Sequence, residues 1–403
     1  MTQDTTKTVA KRRVFYIPGF DPIHPRRYRE LFRSEGTAQA KISGYQIALK
    51  RKSTGGPFGW QAEATIDGAQ VQAEVEVLVW SDIVRTSMDQ GILATYVQLL
   101  RTCWAYLASG AFFRLMRLRK GPAIAALYPI LMLLAQLGLA LLTGRVAGVM
   151  FSLTGVPGIG LLGLVFTWYT LWWFRKMDGR LFAYYLMHDY AFSARYGGAN
   201  PPELDARLAE FRATIAQALR DDVDEVLVVG HSSGAHLAVS VLADLIRAGE
   251  APKGGPALSF LSLGQVVPMM SFLPKADVLR RDLNYLSTRD EITWVDITAP
   301  GDGCAFALCD PVAVSGVAPE DKRWPLVISA AFTQTLSAER WKALRWRFFR
   351  LHFQYLCAFD QPGDYDYFQI TVGPQALGAR FDGRAPSNSR IEQARSGYTS
   401  MAA

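Results

Sequence analysis

The chain is short of charge and short of metal-binding side chains. Only 20% of its 403 residues are charged, while 50% are hydrophobic. That balance is rich for a soluble enzyme and points toward a membrane. There are five histidines and four cysteines. Cys103, Cys304, Cys309 and Cys357 lack paired zinc spacing, and no histidine stands near Cys304 and Cys309 in sequence. They read as free thiols in a reducing compartment, and no metal is expected. No phosphate loop or dinucleotide fingerprint is present, so no cofactor is expected. No secretory leader is expected from this stretch either: Lys11-Arg12-Arg13 precedes an apolar run that ends at Ile17 and is broken by Pro18-Gly19.

Charge is absent altogether from two adjacent stretches, Pro122 to Gly144 and Val146 to Phe174, separated only by Arg145. Each is long enough to cross about 30 Å of hydrocarbon as a helix rising about 1.5 Å per residue. Pro157-Gly158 interrupts the second, leaving a shorter span or a re-entrant kink. Trp168, Tyr169, Trp172 and Trp173 gather at its end, as aromatic residues do at a membrane interface. Arg114, Arg117, Arg119 and Lys120 precede the pair, and Arg175, Lys176 and Arg180 follow it. Both ends, and the rest of the chain with them, are therefore expected on the cytoplasmic side of an inner membrane. Ile92 to Lys120 reads as one or two amphipathic helices suited to a membrane surface. The net charge of +7 is partly clustered beside these runs, which fits anionic lipid better than nucleic acid. Gln136 is the one amide side chain inside either run, and neither run holds a charge, which leaves no ion or proton pathway for a transporter.

What is present is concentrated at Gly230-His231-Ser232-Ser233-Gly234. Val226 to Val229 before it are apolar without alternation, as in a strand covered on both faces. Ala235, Leu237, Ala238, Val241 and Leu242 after it suit a buried helix. A serine at such a strand-to-helix turn projects its hydroxyl above the sheet, and the helix start aims backbone N–H groups at whatever the hydroxyl attacks. A second strand, Val14 to Ile17, runs into Pro18-Gly19-Phe20-Asp21-Pro22 and a helix from Pro25 to Gln39. A third, Glu291 to Ile297, runs into Ala299-Pro300-Gly301-Asp302-Gly303.

At these residues the chain resembles the α/β-hydrolase superfamily, over about 13–82 and 183–375. The resemblance implies an α/β fold with a mostly parallel central sheet flanked by helices, here carrying an inserted transmembrane helical hairpin. It implies a catalytic triad of Ser232, an acid and a histidine in that chain order. Asp302 is the first choice of acid, with Asp296 and Asp310 in reserve. His352 is the histidine, because of His24, His188, His231, His236 and His352 only the last follows Asp302. His231 is expected to shape the turn and His236 to be structural. The oxyanion hole would use the N–H groups of Ser233 and Phe20, although Pro18 stands where lipases of the superfamily place a histidine. The expected activity is a serine esterase or lipase acting on lipid-like or acylated esters. The alternatives are an acyltransferase on the same triad and an inactive membrane scaffold.

The remaining expectations complete the plan. Residues 1–10 are a flexible N-terminus, 11–91 the first part of the α/β domain, 92–180 the membrane insertion (122–144 and 146–174 its two arms), 181–382 the second part, and 383–403 a disordered tail. Further strands are expected at Tyr45 to Lys50, Gln61 to Ile66, Val71 to Trp80, Leu258 to Leu263 and Phe368 to Val372. Asp67-Gly68 marks a hairpin turn. Helices are expected at Leu181 to Arg195, Pro202 to Leu219 and Ala276 to Leu286. Asp82 is placed with Arg85, as a structural ion pair or on the site wall.

Overall fold

Strand β1, Lys11–Ile17, sends Val14 and Tyr16 into one apolar cluster and Phe15 and Ile17 into another. A strand apolar on both faces has to lie inside a sheet that is covered on both sides, and β1 does. The computed structural model describes residues 8–252 and 254–402. It places β1 within one eight-stranded sheet together with β2 (Gln46–Arg51), β3 (Gly59–Ile66), β4 (Ala69–Val77), β5 (Glu225–His231), β6 (Ala257–Leu263), β7 (Ile292–Thr298) and β8 (Leu326–Ser329). The order is β2-β3-β4-β1-β5-β6-β7-β8. From β4 through β1 to β8 every pairing is parallel, and β2, β3 and β4 form an antiparallel meander at one edge. The meander alternates buried and part-exposed residues along β3, as an edge covered mainly on one side should. Its hairpin turns on Asp67 and Gly68, both at positive φ.

Helices cover both faces. Arg26–Ser43 packs Tyr28 and Phe32 on one face, beside Tyr355, Phe359 and Phe368. Pro202–Ala218, Ser233–Arg247 and Asp277–Ser287 pack on the other. Leu204, Leu208, Phe211, Ile215 and Leu219, three and four residues apart, are all buried there.

Several expectations are revised. Phe368 to Val372 is not a strand but part of a helix, Tyr367–Val372, whose start is capped by the Asp366 carboxylate accepting from Phe368 N–H and Gln369 N–H. Phe-Gln-Ile-Thr-Val alternates apolar and polar residues as a strand does, but five residues are too few to fix a period, and the helix buries Phe368, Ile370, Thr371 and Val372 together. Strand β8 was not anticipated; it is four residues long at the sheet edge. β4 stops at Val77, and Trp80 instead caps the helix Ser81–Met88. Asp82 pairs with Arg207, while Arg85 bonds back to Ser81. The tail from Gly383 is pinned rather than disordered: Asp310 N–H donates to the Ile391 carbonyl, Arg395 N–H to Val314, and Arg280 reaches the Ser400 carbonyl. Most of the expected loose N-terminus, residues 1–7, lies outside the described residues.

The insertion between Met88 and Ala183 is wholly helical in outline. Ile92–Ala108 and Ala111–Leu118 are two helices. The next is a single helix, Lys120–Ser152, that continues straight through Arg145. One arginine does not stop a helix; the chain turns only at 153–158, where Gly155 and Gly158 take positive φ. The expected boundary at Arg145 is therefore displaced. The returning arm is shorter than expected, a turn of 3₁₀ helix and then Gly163–Lys176. Among the described residues, Lys120–Ser152 is the one helix long and apolar enough to cross a membrane, by length and composition. Only 22% of its most apolar window is buried, unlike the core helix of a globular protein.

Candidate active site

Ser232 stands between the end of β5 and the helix Ser233–Arg247, with φ 57° and ψ −121°. Positive φ is costly for a residue with a Cβ and persists only where the surroundings impose it. Here they do. A Cβ on Gly234 would lie 2.0 Å from the Ile17 carbonyl oxygen, so the helix passes the end of β1 at a distance only glycine allows. Ser232 N–H donates to the Leu263 carbonyl at 2.9 Å, tying the turn to β6.

The loop after β1 lies beside it. Trp80 Nε1–H donates to the Pro18 carbonyl at 2.9 Å, and Tyr185 O–H donates to the Phe20 carbonyl. The Phe20 ring packs on Trp80, Tyr185 and Phe192. The N–H groups of Phe20 and Ser233 find no partner among the described residues. Free amides at a loop and at a helix start are where a developing oxyanion can be held.

His352 ends a short helix, Phe348–His352, and is largely buried. Its Nδ1 lies 2.7 Å from Asp302 Oδ2, which fixes the proton on Nδ1 and leaves Nε2 as the free acceptor. Asp302 sits in the loop after β7 and is fully buried. Burial alone would push its carboxyl up. The neighbouring His352 charge and hydrogen bonds from His352, Cys304 N–H and Tyr355 O–H outweigh burial and hold it below the usual carboxylate range. Tyr355 O–H donates to Asp302 at 3.0 Å and accepts from Ala299 N–H at 3.0 Å. His231 braces the arrangement from behind: one ring nitrogen is 3.0 Å from the His352 carbonyl and the other 3.2 Å from the Tyr16 hydroxyl. Burial first, then the His352 charge, depresses His231 to about 3, so it is neutral at working pH.

Ser232, His352 and Phe20 all face one cavity of about 330 Å³. Its far wall comes from the insertion: Thr102, Leu107, Phe112, Leu115, Ala126 and Ile130 contribute. Ser232 Oγ and His352 Nε2 are not hydrogen-bonded to each other here; such bonds are often long without substrate and tighten in the complex. Ser233 borders a smaller cavity behind the turn.

The reserve acids are elsewhere. Asp296 is buried beside Ser262, which donates to it. Asp310 caps the helix Pro311–Val314 and pairs with Lys322 at 2.6 Å. His236 is buried on the helix after Ser232, with Nδ1 unpartnered. The lack of a histidine near Cys304 holds only along the sequence. In space Asp302, Cys304 and His352 each present a ligand atom within 4.8 Å of the others. A metal there would have to break the Asp302–His352 hydrogen bond. It would also need a thiolate from Cys304, whose thiol is pushed well above its ordinary range by burial and by the Asp302 and Asp189 charges. Sequence reading missed Tyr355, Tyr185 and Asp189, which no local pattern marks.

No family model, no curated protein and no solved structure matches this chain.

Proposed function

We propose that the chain is a serine hydrolase built on an α/β-hydrolase fold, cleaving carboxylic esters of amphiphilic molecules at a membrane. The observation that carries this is a serine in a strained turn sharing one cavity with a histidine whose Nδ1–H is held by a buried carboxylate. In this reading His352 Nε2 takes the Ser232 hydroxyl proton as Oγ attacks the ester carbonyl. The Phe20 and Ser233 N–H groups hold the oxyanion. The alkoxide leaves as the alcohol, taking the proton from His352. Water, deprotonated by the same imidazole, then attacks the acyl-enzyme and releases the acid. Asp302 keeps the imidazole in its productive tautomer and stabilises the imidazolium.

The membrane part rests on the insertion. Leu131, Leu134, Leu139, Leu141, Val146 and Met150 are exposed along the long helix, and Leu164, Trp168 and Trp172 along the returning arm. An exposed apolar surface of this extent suits lipid rather than water. Basic residues at both outer ends support a cytoplasmic position for those ends and for the α/β domain. The cavity wall includes Pro122, Ala126 and Ile130 at the start of the long helix that carries this surface, which supports delivery of the ester from the bilayer side.

The test is labelling of the purified protein in detergent or liposomes with a fluorophosphonate probe. Wild type should be labelled; Ser232→Ala and His352→Ala should not. Well-folded wild type that stays unlabelled in both media would reject the hydrolase reading and leave an inactive scaffold. Release of the protein from membranes by carbonate would reject the embedded one.

A further inference from the structure

Asp189 is the group in the cavity that ester cleavage does not use. It lies on the helix Ala183–Arg195, on the partition between the main cavity and the small one behind Ser233. It makes no hydrogen bond or ion pair among the described residues. The other two carboxylates at the site are engaged. Asp302 is held by His352 and Tyr355, and Asp21 by Tyr28 O–H, Ile23 N–H and Arg27. The titratable groups within electrostatic reach of Asp189 are Tyr106, Tyr185, Tyr190, Cys304 and His352, from four different segments. Burial pushes its carboxyl up to about 7, opposed only by His352. No lysine or arginine lines the cavity.

An unpaired carboxylate in a largely apolar cavity is unfavourable unless a ligand supplies the missing donor. The rest of the cavity says what else that ligand carries. The wall from Leu107 to Ile130 is apolar, and about 330 Å³ is at the small end of ligand pockets, room for one chain rather than two. With Asp21 and Asp189 on the cavity wall and no lysine or arginine among the lining residues, an anionic head group would be repelled.

We propose that Asp189 is a specificity residue that accepts a hydrogen bond from, or pairs with, the alcohol portion of a single-chain ester. The preferred substrate class is then a long-chain acyl ester of a neutral polyol or of a cationic alcohol, and esters bearing phosphate are rejected. The assignment rests on the serine-hydrolase reading for its substrate chemistry, but its binding half stands without turnover.

The experiment compares kcat/KM on matched dodecanoyl esters of methanol, glycerol, choline and glycerol phosphate, using the full chain in nanodiscs. Wild type should favour the glycerol or the choline ester over the methyl ester, with the phosphate ester poorest. Asp189→Ala should lower the favoured-to-methyl ratio at least about tenfold, the lower end of what one hydrogen bond to a charged group is worth. Asp189→Asn separates the two sources. It keeps an acceptor and so keeps a glycerol preference, but it loses a choline preference with the charge. Ratios that stay the same in both variants, or a phosphate ester that is best, would overturn the assignment. Binding of the matching dodecyl ether analogues by titration calorimetry gives the same comparison without chemistry. An inactive, unlabelled wild type that still shows the ether preference would sink the hydrolase reading and keep Asp189; an active one with no preference would do the reverse.

Discussion

Tyr355→Phe removes one oxygen atom from behind the Asp302–His352 pair, and its two consequences can be separated. That oxygen accepts from Ala299 N–H and donates to Asp302 Oδ2, both at 3.0 Å, in a fully buried position. Orphaning a buried N–H costs about 1–3 kcal/mol, and losing a hydrogen bond to a charged carboxylate about 1.5–3 kcal/mol. Part of the second loss falls on the site rather than on the fold, because the carboxylate then holds the imidazolium less well. The expected result is a stability loss of about 2–4 kcal/mol with a fluorophosphonate labelling rate down roughly tenfold. Denaturant unfolding reads the first and the second-order labelling constant reads the second. A double-mutant cycle with Asp302→Asn decides whether the two residues act together. If Tyr355 works through Asp302, its removal adds little once the carboxylate is gone. A labelling rate unchanged in Tyr355→Phe, or strictly additive losses in the cycle, would refute the positioning argument and leave Tyr355 a packing residue.

Two further outcomes follow from the same geometry. Asp302→Asn should slow labelling by about 10³–10⁴, whereas Asp310→Asn, which loosens only a helix cap and the Lys322 pair, should lower stability and leave the rate near wild type; the reverse pattern would reassign the acid. Asp296 is buried, with Oδ2 unpartnered, and burial raises its carboxyl to about 8. A raised folded value means the native state keeps a proton that the unfolded chain loses. Its contribution is therefore complete below about pH 4 and lost as pH rises to about 8, by up to about 1.4 kcal/mol per pH unit. Asp296→Asn should flatten that stretch of the stability profile, measured by denaturant unfolding; a slope equal to wild type would count against a protonated Asp296.

What the sequence determined by itself is local. The apolar run before Gly230, the small residues around Ser232 and the apolar positions after it specify strand, turn and helix, because each is a short-range demand on backbone and burial. Gly155, Pro157 and Gly158 likewise place the end of the long helix in the sequence, although charge patterning drew attention to Arg145 instead. Chain order, read through the superfamily resemblance, singled out His352 as the candidate histidine. Tertiary structure alone decided which acid it meets: Asp296, Asp302 and Asp310 lie along one strand and the loop after it, and only the path of that loop turns Asp302 toward Nδ1. It also decided that Phe368 to Val372 is a helix: the run alternates like a strand, and burial of Phe368, Ile370, Thr371 and Val372 together overrides that pattern, although the Asp366 cap beside it is a local signal. The pinned tail has the same origin, being polar in sequence and ordered only by carbonyls and donors from distant elements. Asp189 was illegible for a related reason. A carboxylate on a helix is ordinarily solvated, and it becomes an unpaired group in an apolar cavity only when the insertion closes over it.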